Sequence, residues 1–207
     1  MKTNQTKQKI LDTASLLFYQ KGFSGTSVRD IAEKASVNVS AISYYFRSKQ
    51  GLLENVVTNY YEEYFKIVEE NIHKLQTLQS LEKLKKLLEV IIHYKQQHHQ
   101  MSCFIHRELT LDSVFVREIT VTYLAKENHY LSKLFFDVVK EGNVPLIDRH
   151  FLFMQLKGML ITPYILHTEL KAQVIGTYSN EEFAIKYVQT IHQWLDSIVD
   201  KKVINPV

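Results

Sequence analysis

The sequence predicts an all-α protein: an N-terminal three-helix unit built around a helix-turn-helix, followed by a larger C-terminal helical bundle. Three observations carry that expectation. Gly and Pro together supply nine of the 207 residues, against about 12% in average usage, so a turn-dense β-sandwich is excluded. Apolar residues, 45% of the chain, recur at helical spacing through nearly its whole length. Positive charge gathers at the N-terminal end. Through Gly51 there are eight bases (Lys2, Lys7, Lys9, Lys21, Arg29, Lys34, Arg47, Lys49) and three acids, whereas the remainder has 17 bases and 19 acids. A small basic module on a nearly neutral body suggests contact with a polyanion, although a solvated face with a chance excess of lysine would look the same.

The elements follow in order. Ile10, Ala14, Leu17 and Phe18 define a first helix, which Gly22 closes as a left-handed cap. Ser27 and Asp30 form a capping box that opens a helix with Ile31, Ala32 and Ala35. That helix is only about two turns long, because Ser36, Val37 and Asn38 follow. Asn38 caps a third helix over residues 39–46. A fourth starts near Leu52 and carries Val56, Tyr60, Tyr64, Val68 and Leu75 on its apolar positions. Ser80 can cap a fifth with Leu84, Leu87, Leu88, Ile91 and Ile92 on one face.

A short helix is expected over residues 98–109 and a long one over 113–141, ended by Gly142 and Pro145. Residues 148–175 are apolar on several faces, and Asn180 can cap a last helix carrying Phe183, Tyr187, Ile191, Trp194, Leu195 and Ile198. These last two helices need cover. A second copy of the chain would supply it through an isologous four-helix interface, giving a homodimer; burial inside one monomer is the alternative.

Two short helices joined by a three- to four-residue turn satisfy the spacing of a helix-turn-helix. Ala32 is the small residue at the crossing, and Ile31, Ala35, Val37, Ile42 and Tyr45 are the expected apolar plugs. Ser36 stands where such turns favour glycine, so it must tolerate a positive φ or turn differently.

The runs Gly22–Ala32, Val37–Phe46 and Ser48–Leu53 resemble the N-terminal domain of the TetR family of bacterial DNA-binding regulators. The resemblance spans about residues 6–55. It departs at Ser36, Ser40 and Ser43, where the family often has glycine, glycine and a phosphate-contacting tyrosine. It implies a DNA-binding domain over residues 1–50, a regulatory and dimerisation domain over 51–207, and palindromic double-stranded DNA as the partner. Residues 38–46, together with Arg107 to Ser113, Arg117 and Glu118, also resemble a TetR-like protein of spore-forming bacilli linked to division-septum placement. That resemblance implies a possible cell-division partner.

For a third helix lying in the major groove, side chains near its N-terminus reach base edges. Val39, Ser40, Ala41 and Tyr44 are the expected readers, with Val39 and Ala41 limited to apolar contact with a thymine methyl. Thr26, Ser27, Ser43, Tyr45 and Lys49 fall at helix ends or flanks where phosphates pass, and Arg29 can extend to backbone or base. For Tyr45 a place in the core is an equal alternative.

Other chemistries are less well supported. His99, Cys103 and His106 share a helical face and could hold zinc or copper. Nine histidines form a high background, and a lone helical cysteine usually packs as a small hydrophobe, so no metal or cofactor is expected. No glycine-rich phosphate loop, nucleophile elbow or zinc-protease motif occurs, and catalysis is not expected. Tyr60, Tyr64, Phe104, Tyr123, Phe135, Met154, Met159 and Tyr164 could line a small-molecule pocket or simply fill the core. A single cysteine and the lack of a membrane-length apolar run point to a cytoplasmic protein, and the DNA-binding expectation adds association with the nucleoid.

Overall fold

The computed structural model describes residues 2–109, 114–166, 172–173 and 178–200. Among them the chain is helical, with no strand. Ten α-helices follow in order: α1 (Lys2–Lys21), α2 (Val28–Lys34), α3 (Val39–Phe46), α4 (Lys49–Lys74), α5 (Ser80–Gln97), α6 (His99–Glu108), α7 (Val114–Ile119), α8 (Ala125–Glu141), α9 (Leu146–Ile165) and α10 (Asn180–Val199). A five-residue π-turn, Thr120–Leu124, separates α7 from α8. The single long helix expected over residues 113–141 is therefore interrupted. The expected helix over 148–175 starts earlier, at Leu146, and gives way to extended backbone at Leu166. Residues 167–171 and 174–175 of that expected helix, like residues 110–113, lie outside the described residues.

The chain divides into two compact units. One comprises Met1–Phe65 and His98–Leu111, the other Lys66–Gln97 and Asp112–Val207. The sequence-based division at residue 50 differs because α6 and the start of α4 complete the core around α1–α3. Phe104 of α6 stacks on Phe18 of α1, ring centres 5.6 Å apart. Tyr60 of α4 shares a buried 2.8 Å hydrogen bond with Ser102 of α6. Arg107 donates to the Phe18 and Tyr19 carbonyls at 3.0 Å each, neutralising the C-terminal end of α1.

In the second unit α5 packs on α8 and α10, burying Leu84, Leu87, Leu88, Ile91, Leu131, Phe135, Ile191 and Leu195. Lys85 of α5 pairs with Asp196 of α10 at 2.6 Å. Buried Glu127 forms an ion pair with Lys95 at 3.4 Å and accepts a hydrogen bond from Lys157 at 3.1 Å, tying α8 to α5 and α9. Two caps differ from expectation. Ser80 donates to Glu141 at 2.6 Å as the first residue of α5. The last helix is capped by Ser179, not Asn180, because Ser179 and Glu182 complete a reciprocal capping box.

Candidate nucleic-acid interface

The first unit builds its helix-turn-helix from local rules. Gly22, at φ 74°, ends α1 and lets its carbonyl face the corner before α2. Ser27 accepts from the Asp30 amide at 3.1 Å while the Asp30 carboxylate accepts from the Ser27 amide at 2.8 Å. That backbone hydrogen bond, reinforced by the serine hydroxyl, holds the Asp30 carboxyl below its ordinary range. Ser36 adopts φ 53° in the turn, so the strain is tolerated and the usual turn is kept. Asn38 then accepts from the Ser40 amide at 2.9 Å and starts α3.

Packing decides which face of α3 is free. Ile31, Ala35 and Ile42 are buried as expected, as is Ala32 at the crossing, but the buried aromatic plug is Phe46 rather than Tyr45. Tyr45 is half-buried. One position further on, Phe46 turns inward to meet the unit's core, and Tyr45 is rotated by about 100° from it. Val37 is half-buried as well.

Val39, Ser40, Ser43 and Tyr44 are exposed on one face of α3, Tyr44 at 79%. Ala41 is half-buried beside them, and Tyr44 meets the Tyr45 ring edge-on at 5.0 Å. The Ser40 hydroxyl donates to Asn38 Oδ1 at 2.9 Å, so its lone pairs are what it offers outward. Ser27 and Arg29 are exposed around the start of α2.

Two expected phosphate contacts are placed differently. Thr26 is buried, and its hydroxyl lies 2.8 Å from the Gly22 carbonyl and 3.2 Å from that of Leu17. It locks the corner between α1 and α2 and has no free face for a phosphate. Lys49 is half-buried, donating to the Phe23 and Thr26 carbonyls at 2.9 Å each, with its ammonium 4.3 Å from the Phe23 ring centre. It holds the same corner against the start of α4. Lysine spacing alone carries no sign of those carbonyls, which only the folded corner brings together.

Elsewhere, Cys103 lies 3.5 Å from His99 Nε2, and no cluster of three or more metal-ligating side chains occurs among the described residues. Of the residues expected to line a pocket, Tyr60, Tyr64, Phe104, Phe135 and Tyr164 are buried, whereas Met154 is 64% exposed. A cleft of about 360 Å³ in the second unit is lined instead by Ile67, Leu75, Val90, Tyr94, Lys86, Glu89, His93 and neighbouring amides. Among the described residues no helix is long and apolar enough to cross a membrane.

A capped helix pair with one face free, carried on a basic N-terminal segment of a helical chain, defines a protein of the helix-turn-helix class. The family model for bacterial regulatory proteins of the tetR family matches residues 10–56. The chain is also 39% identical over 194 residues to the probable HTH-type transcriptional regulator YttP of Bacillus subtilis strain 168, covering 93% of each chain. It belongs to the tetR family of bacterial regulatory proteins. Two solved structures share the fold. A putative fatty acid metabolism regulator of Clostridium perfringens has a TM-score of 0.73 at 19% identity, covering 95% of this chain and all of that one. An HlyIIR mutant protein with a linker substitution has a TM-score of 0.75 at 22% identity, covering 98% of this chain and all of that one.

Proposed function

We propose that this TetR-type regulator reads palindromic double-stranded DNA as a homodimer, with α3 in the major groove. The observation that carries the reading is the exposed row Val39, Ser40, Ser43 and Tyr44 on a helix whose opposite face, Ile42 and Phe46, is buried. Val39 and Ala41 offer apolar contact to thymine methyls, and Ser40 and Tyr44 offer hydrogen bonds to base edges. Ser27, Arg29, Ser43 and Tyr45 flank them toward the phosphates. Thr26 and Lys49 belong to this interface as its internal supports.

Dimerisation has its own support in the second unit. Ile147, Phe151, Met154 and Ile165 are all exposed, and with Gly158 they form one stripe along α9 at helical spacing. A Cβ added to Gly158 would meet nothing within 4 Å, so a second helix can approach closely there. Ile185 of α10 is exposed too. A second copy of α9 and α10 covers these residues, and the twofold symmetry of such a dimer matches palindromic half-sites about one DNA turn, ~34 Å, apart. The protein is cytoplasmic and nucleoid-associated on this reading, and acts without metal or cofactor.

The finer link to division-septum placement draws on residues 38–46 together with Arg107 to Ser113, Arg117 and Glu118. Arg107 is held by the α1 carbonyls, which favours an intramolecular role for the motif over a cell-division partner. A ligand-responsive repressor is a second reading, favoured by the 360 Å³ cleft beside α5, a volume within the range of small-molecule sites. Both readings keep the DNA contact.

Sedimentation velocity with duplex titrations at several salt concentrations tests the proposal. A dimer whose log K falls linearly with log salt, by about 0.9 per neutralised phosphate, supports it. A monomer at micromolar concentration, or affinity indifferent to salt, overturns it.

A further inference from the structure

Arg47 stands between α3 and α4 with φ 66° and ψ −46°. Across it the Ser48 amide donates to the Phe46 carbonyl at 2.7 Å, so Arg47 is the centre of a three-residue γ-turn of the rare, strained kind with positive φ. The neighbouring geometry explains the tightness of the turn. Ser48 Oγ accepts from the Gly51 amide at 3.0 Å and starts α4. A Cβ on Gly51 would stand 2.3 Å from the Phe46 carbonyl oxygen, so only glycine allows the approach.

Packing does not explain why the strained residue is arginine. Its side chain is exposed, and glycine would adopt the same φ without strain. Its position is informative, because Arg47 directly follows α3 and stands at the end of the helix whose free face carries Ser40, Ser43 and Tyr44. Lys7 adds a second cation beside the turn, its ammonium 5.9 Å from the Phe46 ring centre.

We propose that Arg47 is a phosphate-contacting residue that sets the register of α3 on DNA, its strained turn directing a guanidinium at the backbone beside the bases that α3 reads. The forked donors of arginine suit phosphate oxygens. Strain kept at an exposed position is then the counterpart of a contact made only with DNA. The inference rests on the DNA-binding reading above.

The test uses the full chain, R47G and R47K, each titrated by fluorescence anisotropy with a random-sequence duplex across salt and melted without DNA. R47G is expected to raise Tm while lowering low-salt affinity roughly tenfold and the salt slope by about 0.9 per protomer. R47K is expected to retain the slope. An R47G protein that binds with unchanged affinity and slope overturns the assignment of Arg47, and one that melts lower overturns the strain argument. A parent chain that fails to bind the duplex at all overturns the DNA-binding reading and this inference with it.

Discussion

Lys49 separates support of the interface from contact with DNA. Its ammonium makes two 2.9 Å hydrogen bonds, to the Phe23 and Thr26 carbonyls, and lies 4.3 Å from the Phe23 ring centre. The substitution K49M keeps most of the stem and removes the charge. Hydrogen bonds to a charged group contribute about 1.5 kcal/mol each at the lower end of their range, the appropriate value for a half-exposed ammonium. The cation–π contact adds about 0.5 kcal/mol at such exposure. The loss is then about 3.5 kcal/mol, and at roughly 2–4 °C per kcal/mol for a chain of this length, Tm falls by about 7–14 °C. Differential scanning calorimetry of the DNA-free protein measures it. A K49M protein that melts within about 1 °C of the parent, but loses salt-dependent affinity, would show that Lys49 serves phosphate and that the corner stands without it.

Further predictions concern reading, strain and pH. Y44A should change stability by less than about 0.5 kcal/mol and weaken operator binding by about 1–3 kcal/mol, whereas I42A should destabilise the protein by about 2–5 kcal/mol; thermal melts and operator titrations distinguish them. S36G should relieve the positive φ of the turn and raise stability by about 1 kcal/mol without changing operator affinity, as read by chemical denaturation. Burial pushes the half-buried Tyr187 hydroxyl, which donates to the Met159 carbonyl at 2.8 Å, up to about 12. The unfolded chain ionises first, so stability is fully present below pH ~10 and falls as pH rises from ~10 to ~12. Y187F should flatten that decline in denaturation curves taken across the window.

Much of the first unit was legible from residue order because its determinants are local. Ser27 with Asp30, Asn38, and Gly22 each act over three or four residues, and all three occupy their expected caps. Ser36 was readable as a strained substitute for glycine for the same reason. What escaped depends on contacts distant in sequence. Whether Tyr45 or Phe46 faces inward is a choice between adjacent aromatics of similar size, decided by the surrounding core. Thr26 and Lys49 carry the residue types of phosphate contacts, and only the folding of the Gly22–Thr26 corner supplies the carbonyls that engage them. Arg107, 89 residues from Phe18 in sequence, draws α6 into the first unit in a way that periodicity does not encode. The π-turn at Thr120–Leu124 interrupts an apolar pattern that reads as continuous helix.

Selection of bound duplexes from a random pool, run in parallel on the parent chain and Y44A, tests the central claim most directly. The account predicts that the parent enriches a twofold-symmetric sequence with half-sites about one helical turn, ~34 Å, apart. Y44A should lose preference within the half-site while retaining salt-dependent binding to unselected DNA. Enrichment of no symmetric sequence by the parent, or the same sequence enriched equally by Y44A, would contradict the assignment of α3 as the reading helix.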